Sequence, residues 1–235
     1  MFCSKTDLES QNPTRHCTDQ VTSTSRPKNV ILAGRATVDN TFPRASTHRV
    51  PYFNPNDATD AVAFLVGLAG GRLNRVAVLK LLYFAEREAL KVHGSSITGS
   101  TFFSLPYGPV ASEVLDLING KATSQRWSEY LETVGDDVVL KQDPSDDYIC
   151  DAHEELIRKH WNAHAGTFDP LKFPTALVEY SHTLPEWTDP RGSSVPISQL
   201  RIWECQGVSR EQIAAFMHWD DAAMSMHALA TGCCR

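Results

Sequence analysis

The residues with the clearest chemical potential in this chain are three histidines on one predicted helix. His153, His160 and His164 are spaced i, i+7 and i+11, so a helix places them on one side. His160 and His164 are four residues apart, which makes a metal site conceivable. The metalloprotease pattern H-E-x-x-H nevertheless fails, because Ile157 stands where the second histidine is required. We therefore expect these side chains to pack beside Trp161 rather than to bind a metal ion.

The acidic residues do not form a recognisable catalytic set either. Glu86 and Glu88 are two residues apart on a predicted helix, so their side chains point in different directions. The pairs Asp136-Asp137 and Asp146-Asp147 fit turns and lack the alternating spacing of a calcium loop. A phosphate-binding loop, a G-x-S-x-G elbow and a dinucleotide fingerprint are also missing from the sequence. We expect no enzyme activity, no catalytic residue, no resident metal ion and no cofactor.

The composition is typical of a globular domain that works in the cytoplasm. Of the 235 residues, 42% are hydrophobic and 21% are charged, and the formal net charge is -6. A chain with a net negative charge is poorly suited to neutralise the phosphates of nucleic acid, so nucleic acid is not the expected partner. The six cysteines show no C-x-x-C spacing, which favours reduced thiols. The N-terminus lacks a signal-peptide core, and no apolar run approaches the roughly 20 residues that span a bilayer.

The chain divides into a polar N-terminal segment and one compact part. Residues 1–55 are rich in Ser, Thr, Pro, Asn and Arg, so we expect a flexible tail. Residues 56–220 carry helical periodicity and are predicted to form one compact helical domain. Residues 221–235 are predicted to hold the end of the last helix and a C-terminal tail. The predicted fold class is mainly α, with a small β-hairpin or short-strand element.

Individual helix signals are clearest around one long central helix. Asn74 is its predicted cap and Gly94 its predicted end. A helix before it is predicted to be capped by Asp57 or Thr59, and one after it by the capping-box residue Asp151. Two further helices at the C-terminal end are predicted to break at Gly207, with Ser209 as a cap.

The β signals lie between these helices. Residues from Ile97 to Leu105 favour an extended segment, and alternation around Gly135 favours a hairpin. Between them, Gly108-Pro109 predicts the start of a helix, because proline is favoured at the first helical position.

Residues 197–217 have the outline of a helix-turn-helix. A DNA-reading second helix would carry basic and amide side chains into the groove. Here Arg210 and Gln212 are followed by apolar residues and then by Asp220-Asp221, which phosphates repel. An ordinary helical hairpin is the expected structure, and a DNA-binding transcriptional regulator is kept as an alternative.

Three features between Lys80 and Val110, and a weaker one further along the chain, resemble a known family. Lys80-Leu81-Leu82-Tyr83, Gly94 with Ile97-Thr98, and Tyr107-Gly108-Pro109-Val110 are similar to the recurring features of the Panacea domain. That domain is also described as the SocA-like antitoxin or phage-associated GepA-like family. Ser181-His182 with Trp187 is similar to a weaker downstream motif. The residues carried over, as mainly structural ones, are Lys80, Leu82, Tyr83, Tyr107, Gly108, Pro109, His182 and Trp187.

The resemblance implies a function by binding. Panacea proteins are typically encoded beside a toxin, often in phage or prophage contexts, and neutralise it by forming a complex. One branch acts as an adaptor that delivers the toxin to a cytoplasmic protease. The resemblance therefore implies an antitoxin whose partners are a cognate toxin and, for that branch, a protease complex. The alternatives are the DNA-binding regulator, an uncharacterised phage- or prophage-associated protein, and a hydrolase or metalloprotein using the three helical histidines and His182.

The Tyr107–Val110 step itself has two interpretations. The favoured one is a structural joint, with Gly108 and Pro109 setting the backbone. The other is a contact site, for which Tyr107 is the candidate because its hydroxyl could reach a partner.

Overall fold

The computed structural model describes residues 52–142 and 149–218, which form helices around two small sheets. Helices account for 54% of the described residues. They are α1 (Pro55–Leu68), α2 (Arg75–His93), α3 (Ser112–Ile118), α4 (Gln125–Tyr130), α5 (Asp151–His164), α6 (Thr175–His182), α7 (Gln199–Cys205) and α8 (residues 210–218), with a 3-10 turn at Ala165–Thr167.

The strands form two three-stranded antiparallel sheets. The first has the order β1-β5-β4 and the second the order β3-β2-β6. In the first sheet Val134 lies opposite Asp137, which confirms the predicted hairpin at Gly135. The strands are β1 (Arg72–Asn74), β2 (Phe102–Leu105), β3 (Gly108–Ala111), β4 (Leu131–Val134), β5 (Asp137–Leu140) and β6 (Val195–Ile197).

The prediction of a mainly helical domain is confirmed only in part. The fold is mixed α and β rather than all-α, because two sheets replace the single small β element. Strands of three or four residues are too short to leave a readable alternation of apolar and polar positions. β6 also pairs with β2 from far along the chain, and local sequence carries no signal for such a pairing.

Helix α2 forms the centre of the core. It contacts α1, α3, α5, α6 and α7 as well as strands of both sheets. Asn74 caps its start by accepting a hydrogen bond from the backbone N–H of Val76 (3.0 Å), and Gly94 ends it at φ 75°. Both predicted ends are therefore confirmed. Apolar residues cover most of the helix surface, so α2 is buried on nearly every side.

Two predicted helix caps are wrong by a few residues. Helix α1 begins at Pro55, with Asn54 as its cap, so Asp57 and Thr59 lie inside its first turns. Proline suits the first helical position because its missing N–H has no partner there. Helix α5 begins at Asp151 itself, and the preceding residue makes no side-chain cap. Asp151 still favours the helix start, through its charge rather than through a cap.

The predicted helix start at Pro109 is also wrong. Pro109 lies in strand β3, and α3 begins three residues later at Ser112. Leu105 lies opposite Gly108, so Pro106-Tyr107 is the two-residue turn of a β-hairpin. β3 is an edge strand, where a proline without an N–H is tolerated.

Several predictions concern residues outside the described ranges. They include the flexible tail, nearly all of whose residues 1–55 are undescribed, the C-terminal segment 221–235, and the Asp146-Asp147 turn. The proposed domain boundaries at residues 56 and 220 stay predictions.

Candidate partner-binding site

Lys80 is buried beneath the turn formed by Pro106 and Tyr107. Its residue is 1% exposed, and its ammonium donates a hydrogen bond to the carbonyl oxygen of Pro109 (2.7 Å). Burial lowers the pKa of this amine from 10.5 to about 7, because desolvation disfavours the charged form. No carboxylate in the described part of the chain forms an ion pair with it. Lys80 therefore ties α2 to the backbone of β3.

Gly108 lets the same turn approach helix α6 closely. Its φ is +96°, a left-handed conformation that favours glycine. A Cβ here would overlap Ser181 Oγ and would lie 3.0 Å from Lys80 Nζ. Ser181 is fully buried and donates its hydroxyl to the carbonyl of Val178 (2.8 Å). The turn is thus clamped between α2 and α6, which agrees with the joint interpretation of the motif.

His182 and Trp187 hold the segment after α6 against strand β2. Their rings stack with centroids 4.1 Å apart and planes 20° apart. The Trp187 indole N–H donates to the carbonyl of Leu105 (3.1 Å), and the Thr188 N–H donates to Ser104 Oγ (3.2 Å). His182 Nε2 is the one buried side-chain polar atom in the described residues that lacks a hydrogen bond.

Tyr83 belongs to a buried polar network that sequence reasoning missed. Its hydroxyl donates to Glu186 (3.1 Å), and Arg87 donates to both oxygens of the same carboxylate (2.5 and 3.4 Å). Gln206 closes the network by donating to the carbonyl of Arg87 (2.6 Å). Burial, followed by the charge of Glu186, raises the pKa of Tyr83 well above its usual value. The network joins α2 to the segment after α6 and to the end of α7.

Glu86 is a buried carboxyl group that sequence reasoning treated only as a candidate acid. Its carboxylate accepts from the backbone N–H groups of Ile97 and Thr98 (2.7 and 2.9 Å) and from the hydroxyls of Ser96 and Thr98 (2.7 and 2.5 Å). Burial raises the pKa of Glu86, and these four donors oppose the rise. The predicted Ile97-Thr98 link is therefore organised around a carboxylate. The available signal was the i, i+4 spacing of Glu86 from Leu82, which puts a charge on an apolar face.

Tyr107 lies at the exposed end of the clamped turn. Its residue is 62% exposed and its ring packs edge-to-face against Phe173, with centroids 5.5 Å apart. Phe173 is 49% exposed, and Leu171, two residues earlier, is 55% exposed. We call Tyr107 and Phe173 the aromatic patch. Of the eight family-motif residues, Tyr107 is the exposed one, while Leu82 is fully buried.

Phe84 lies beside two histidines of α5, His160 and His164, whereas His153 packs elsewhere. His160 lies 2.8 Å from Glu88, which also pairs with Lys159 at 2.5 Å. His164 packs against Phe84, and His153 against His93 with centroids 6.1 Å apart. Burial lowers the pKa of all three α5 histidines. Within the described ranges, no three His, Cys, Asp or Glu side chains are close enough to hold a metal ion.

The helical pair at the C-terminal end contributes to the core. Trp203 is buried and its indole N–H donates to the carbonyl of Leu90 on α2 (2.8 Å). Ile202 and Ile213 are buried as well. Ser209 caps α8 by accepting from the Gln212 N–H (3.2 Å), which confirms the predicted cap. DNA binding by this pair stays an untested alternative to the helical hairpin.

Comparison with known proteins agrees with the motifs. Residues 78–188, from the first turn of α2 to the residue after Trp187, match a family model. Residues 78–188 are therefore similar to an antitoxin-like domain. That family is described as Antitoxin SocA-like, Panacea domain, so the resemblance based on the Lys80 and Tyr107 motifs is confirmed.

Neither the curated proteins nor the solved structures gave a match to this chain. In residues 52–142 and 149–218, no helix has the combination of length and apolar character that crossing a membrane requires.

Proposed function

We propose that this protein binds a cognate toxin and neutralises it by direct contact. The observation that supports this proposal is an exposed aromatic patch on the clamped turn of an antitoxin-like Panacea domain. Aromatic side chains are frequent anchors of protein interfaces, because they bury a large area at a low cost in side-chain entropy. The contact would centre on Tyr107 and Phe173.

The clamp beneath the turn supports this assignment. Lys80 holds the carbonyl of Pro109, and Gly108 packs against Ser181, so the backbone on one side of Tyr107 is fixed before binding. A fixed turn loses little freedom when a partner docks, which improves affinity. The buried motif residues would thus position the surface, and Tyr107 would touch the partner.

The proposal predicts that the aromatic patch is needed for toxin binding. Tyr107→Ala combined with Phe173→Ala should weaken the complex by about 2 kcal/mol or more, roughly thirtyfold, because two anchors are lost. The test uses the product of the adjacent gene as the toxin. Its affinity is measured by calorimetry, and its toxicity by growth of cells that express both proteins.

Pro109→Ala is the matched control within the same hairpin. It keeps the carbonyl that Lys80 binds, so it should cost stability by about 1 kcal/mol or less and leave toxin affinity unchanged. An adjacent product that is harmless alone, or whose toxicity this chain does not reduce, would contradict the proposed function. Unchanged toxin affinity in the double variant would mean that the toxin contacts a surface other than the aromatic patch.

Delivery of the toxin to a protease is the finer version of this function. It rests on the behaviour of one branch of the family, and its test is the lifetime of the toxin in cells. An adaptor shortens that lifetime, whereas an antitoxin that acts only by binding leaves the toxin intact and inactive.

A further inference from the structure

Strand β4 is an edge of its sheet and has unused backbone groups. The Lys141 N–H donates to the carbonyl of Tyr130 (2.8 Å), so that pair is hydrogen bonded across the hairpin. Hydrogen-bonded and non-bonded pairs alternate in an antiparallel ladder, so Leu131 and Thr133 direct their N–H and C=O groups away from β5. The N–H of Leu131 donates to the carbonyl of Trp127, which agrees with its direction away from β5. The outward backbone groups of Thr133 have no backbone partner within the described residues.

A groove of about 590 Å³ runs beside this edge. We call it the β4 groove. Leu131 and Thr133 form one side, and the link from α3 to α4 forms the other. Trp127, which is buried, also lines the groove. The Thr133 hydroxyl donates to the carbonyl of Ile118 at the end of α3 (2.8 Å), so this contact joins the two sides of the groove. The space adjoins the same edge that carries the unused N–H and C=O groups.

The charges around the β4 groove favour an acidic occupant. Arg75 lies at the end of the groove near the β4–β5 turn, where the backbone N–H of Arg75 donates to the carbonyl of Asp136 (2.8 Å). Lys141 lies at the other end of the groove. The lining carries one carboxylate, that of Glu132. Arg75 is bridged to Asp136, but that carboxylate is 74% exposed and such surface bridges are weak. Lys141 donates to the carbonyl of Ser128 (2.6 Å) and forms no ion pair within the described residues.

We propose that the β4 groove binds an extended acidic segment of a partner protein, which adds to the sheet as a strand beside β4. The segment would use the outward N–H and C=O groups of Thr133, in the manner of strand addition. Its carboxylates would pair with Arg75 and Lys141. Arg75 and Lys141 lie beyond the two ends of β4, a strand that spans about 10 Å. Two carboxylates four residues apart in an extended segment match this separation. This site is separate from the aromatic patch and does not depend on toxin binding there.

The test uses the full chain and a fluorescein-labelled peptide, Glu-Thr-Val-Thr-Glu, followed by anisotropy. Binding should be saturable and should weaken as salt is added, because the ion pairs are screened. The peptide Lys-Thr-Val-Thr-Lys should not bind. Lys141→Glu should lower the affinity for the acidic peptide about tenfold.

Thr133→Pro tests the backbone contact directly. It removes an outward N–H without removing a bond of the β4–β5 ladder, so the acidic peptide should lose at least about tenfold in affinity. Lys91→Glu, at the exposed end of α2 and outside the groove lining, is the matched control for Lys141→Glu and should bind as the unmodified chain does. If Thr133→Pro fails to fold by circular dichroism, the readout becomes the amide NMR shifts of Leu131–Val134 in the unmodified chain on addition of the peptide.

Four results would overturn the proposal. They are no binding of the acidic peptide, equal binding of the basic peptide, unchanged affinity in folded Thr133→Pro, and peptide-induced shifts confined to residues outside β4 and its groove. Light scattering adds a fifth: self-association that Thr133→Pro abolishes would make a second copy of this chain the occupant instead.

Discussion

Gly108→Ala is expected to destabilise the fold by about 3 kcal/mol or more. The left-handed conformation at φ +96° costs an alanine about 1–2 kcal/mol. The new methyl group would also overlap Ser181 Oγ and crowd Lys80 Nζ in a packed interior, where overpacking costs about 1–3 kcal/mol. The measurement is urea unfolding followed by circular dichroism and tryptophan fluorescence.

Gly120→Ala is the control that separates the two costs. Gly120 has a similar φ of +67°, but nothing lies within 4 Å of the added Cβ, so only the conformational cost of about 1–2 kcal/mol applies. Ser181→Gly should recover part of the loss in Gly108→Ala, as a favourable coupling in a double-mutant cycle. If Gly108→Ala costs no more than Gly120→Ala, the turn is not clamped by Ser181 and Lys80.

The long elements of this fold were predictable because their signals are local. Helix α2 carries a cap at Asn74, a glycine end at Gly94 and a wide apolar face, and all three agree with the structure. The hairpin at Gly135 was predictable for the same reason, because its two strands are joined by a short turn with a local signal. The extended segment predicted from Ile97 to Leu105 contains strand β2. The rest of its sheet was missed, because Pro109 in β3 was interpreted as a helix start and because the pairing of Phe102 with Ile197 depends on distant chain segments. No property of either segment alone specifies the other.

Pro109 shows how one local signal can support two structures. Proline fixes φ near −65°, which suits both the first turn of a helix and an edge strand. The deciding factor is tertiary: Lys80 on α2 binds the carbonyl of Pro109, and β2 pairs alongside. The candidate site follows the same pattern. The motif residues Lys80, Gly108 and Tyr107 were found from the sequence, whereas Glu186 and Phe173 become visible only when α6 is packed against α2.

Burial of Lys80 should make the stability of the protein depend on pH. Its pKa is about 7 in the folded chain and 10.5 when the side chain is solvated. Between these values the unfolded chain holds the proton and the folded chain releases it. Folding stability therefore rises with pH across this window and is insensitive to Lys80 below about pH 7. The limiting slope for one group is about 1.4 kcal/mol per pH unit.

Lys80→Met should remove this slope and is compared with the unmodified chain by urea unfolding at pH 7, 8 and 9. The variant leaves the carbonyl of Pro109 without its donor, which is a constant cost at every pH. Other titrating groups, such as Tyr83 and the α5 histidines, are present in both proteins and so largely cancel in the difference. The unmodified chain should therefore gain about 2 kcal/mol relative to Lys80→Met from pH 7 to pH 9. If the unfolding free energies of the unmodified chain and Lys80→Met change with pH in the same way, the buried amine keeps its proton and a nearby charge compensates it.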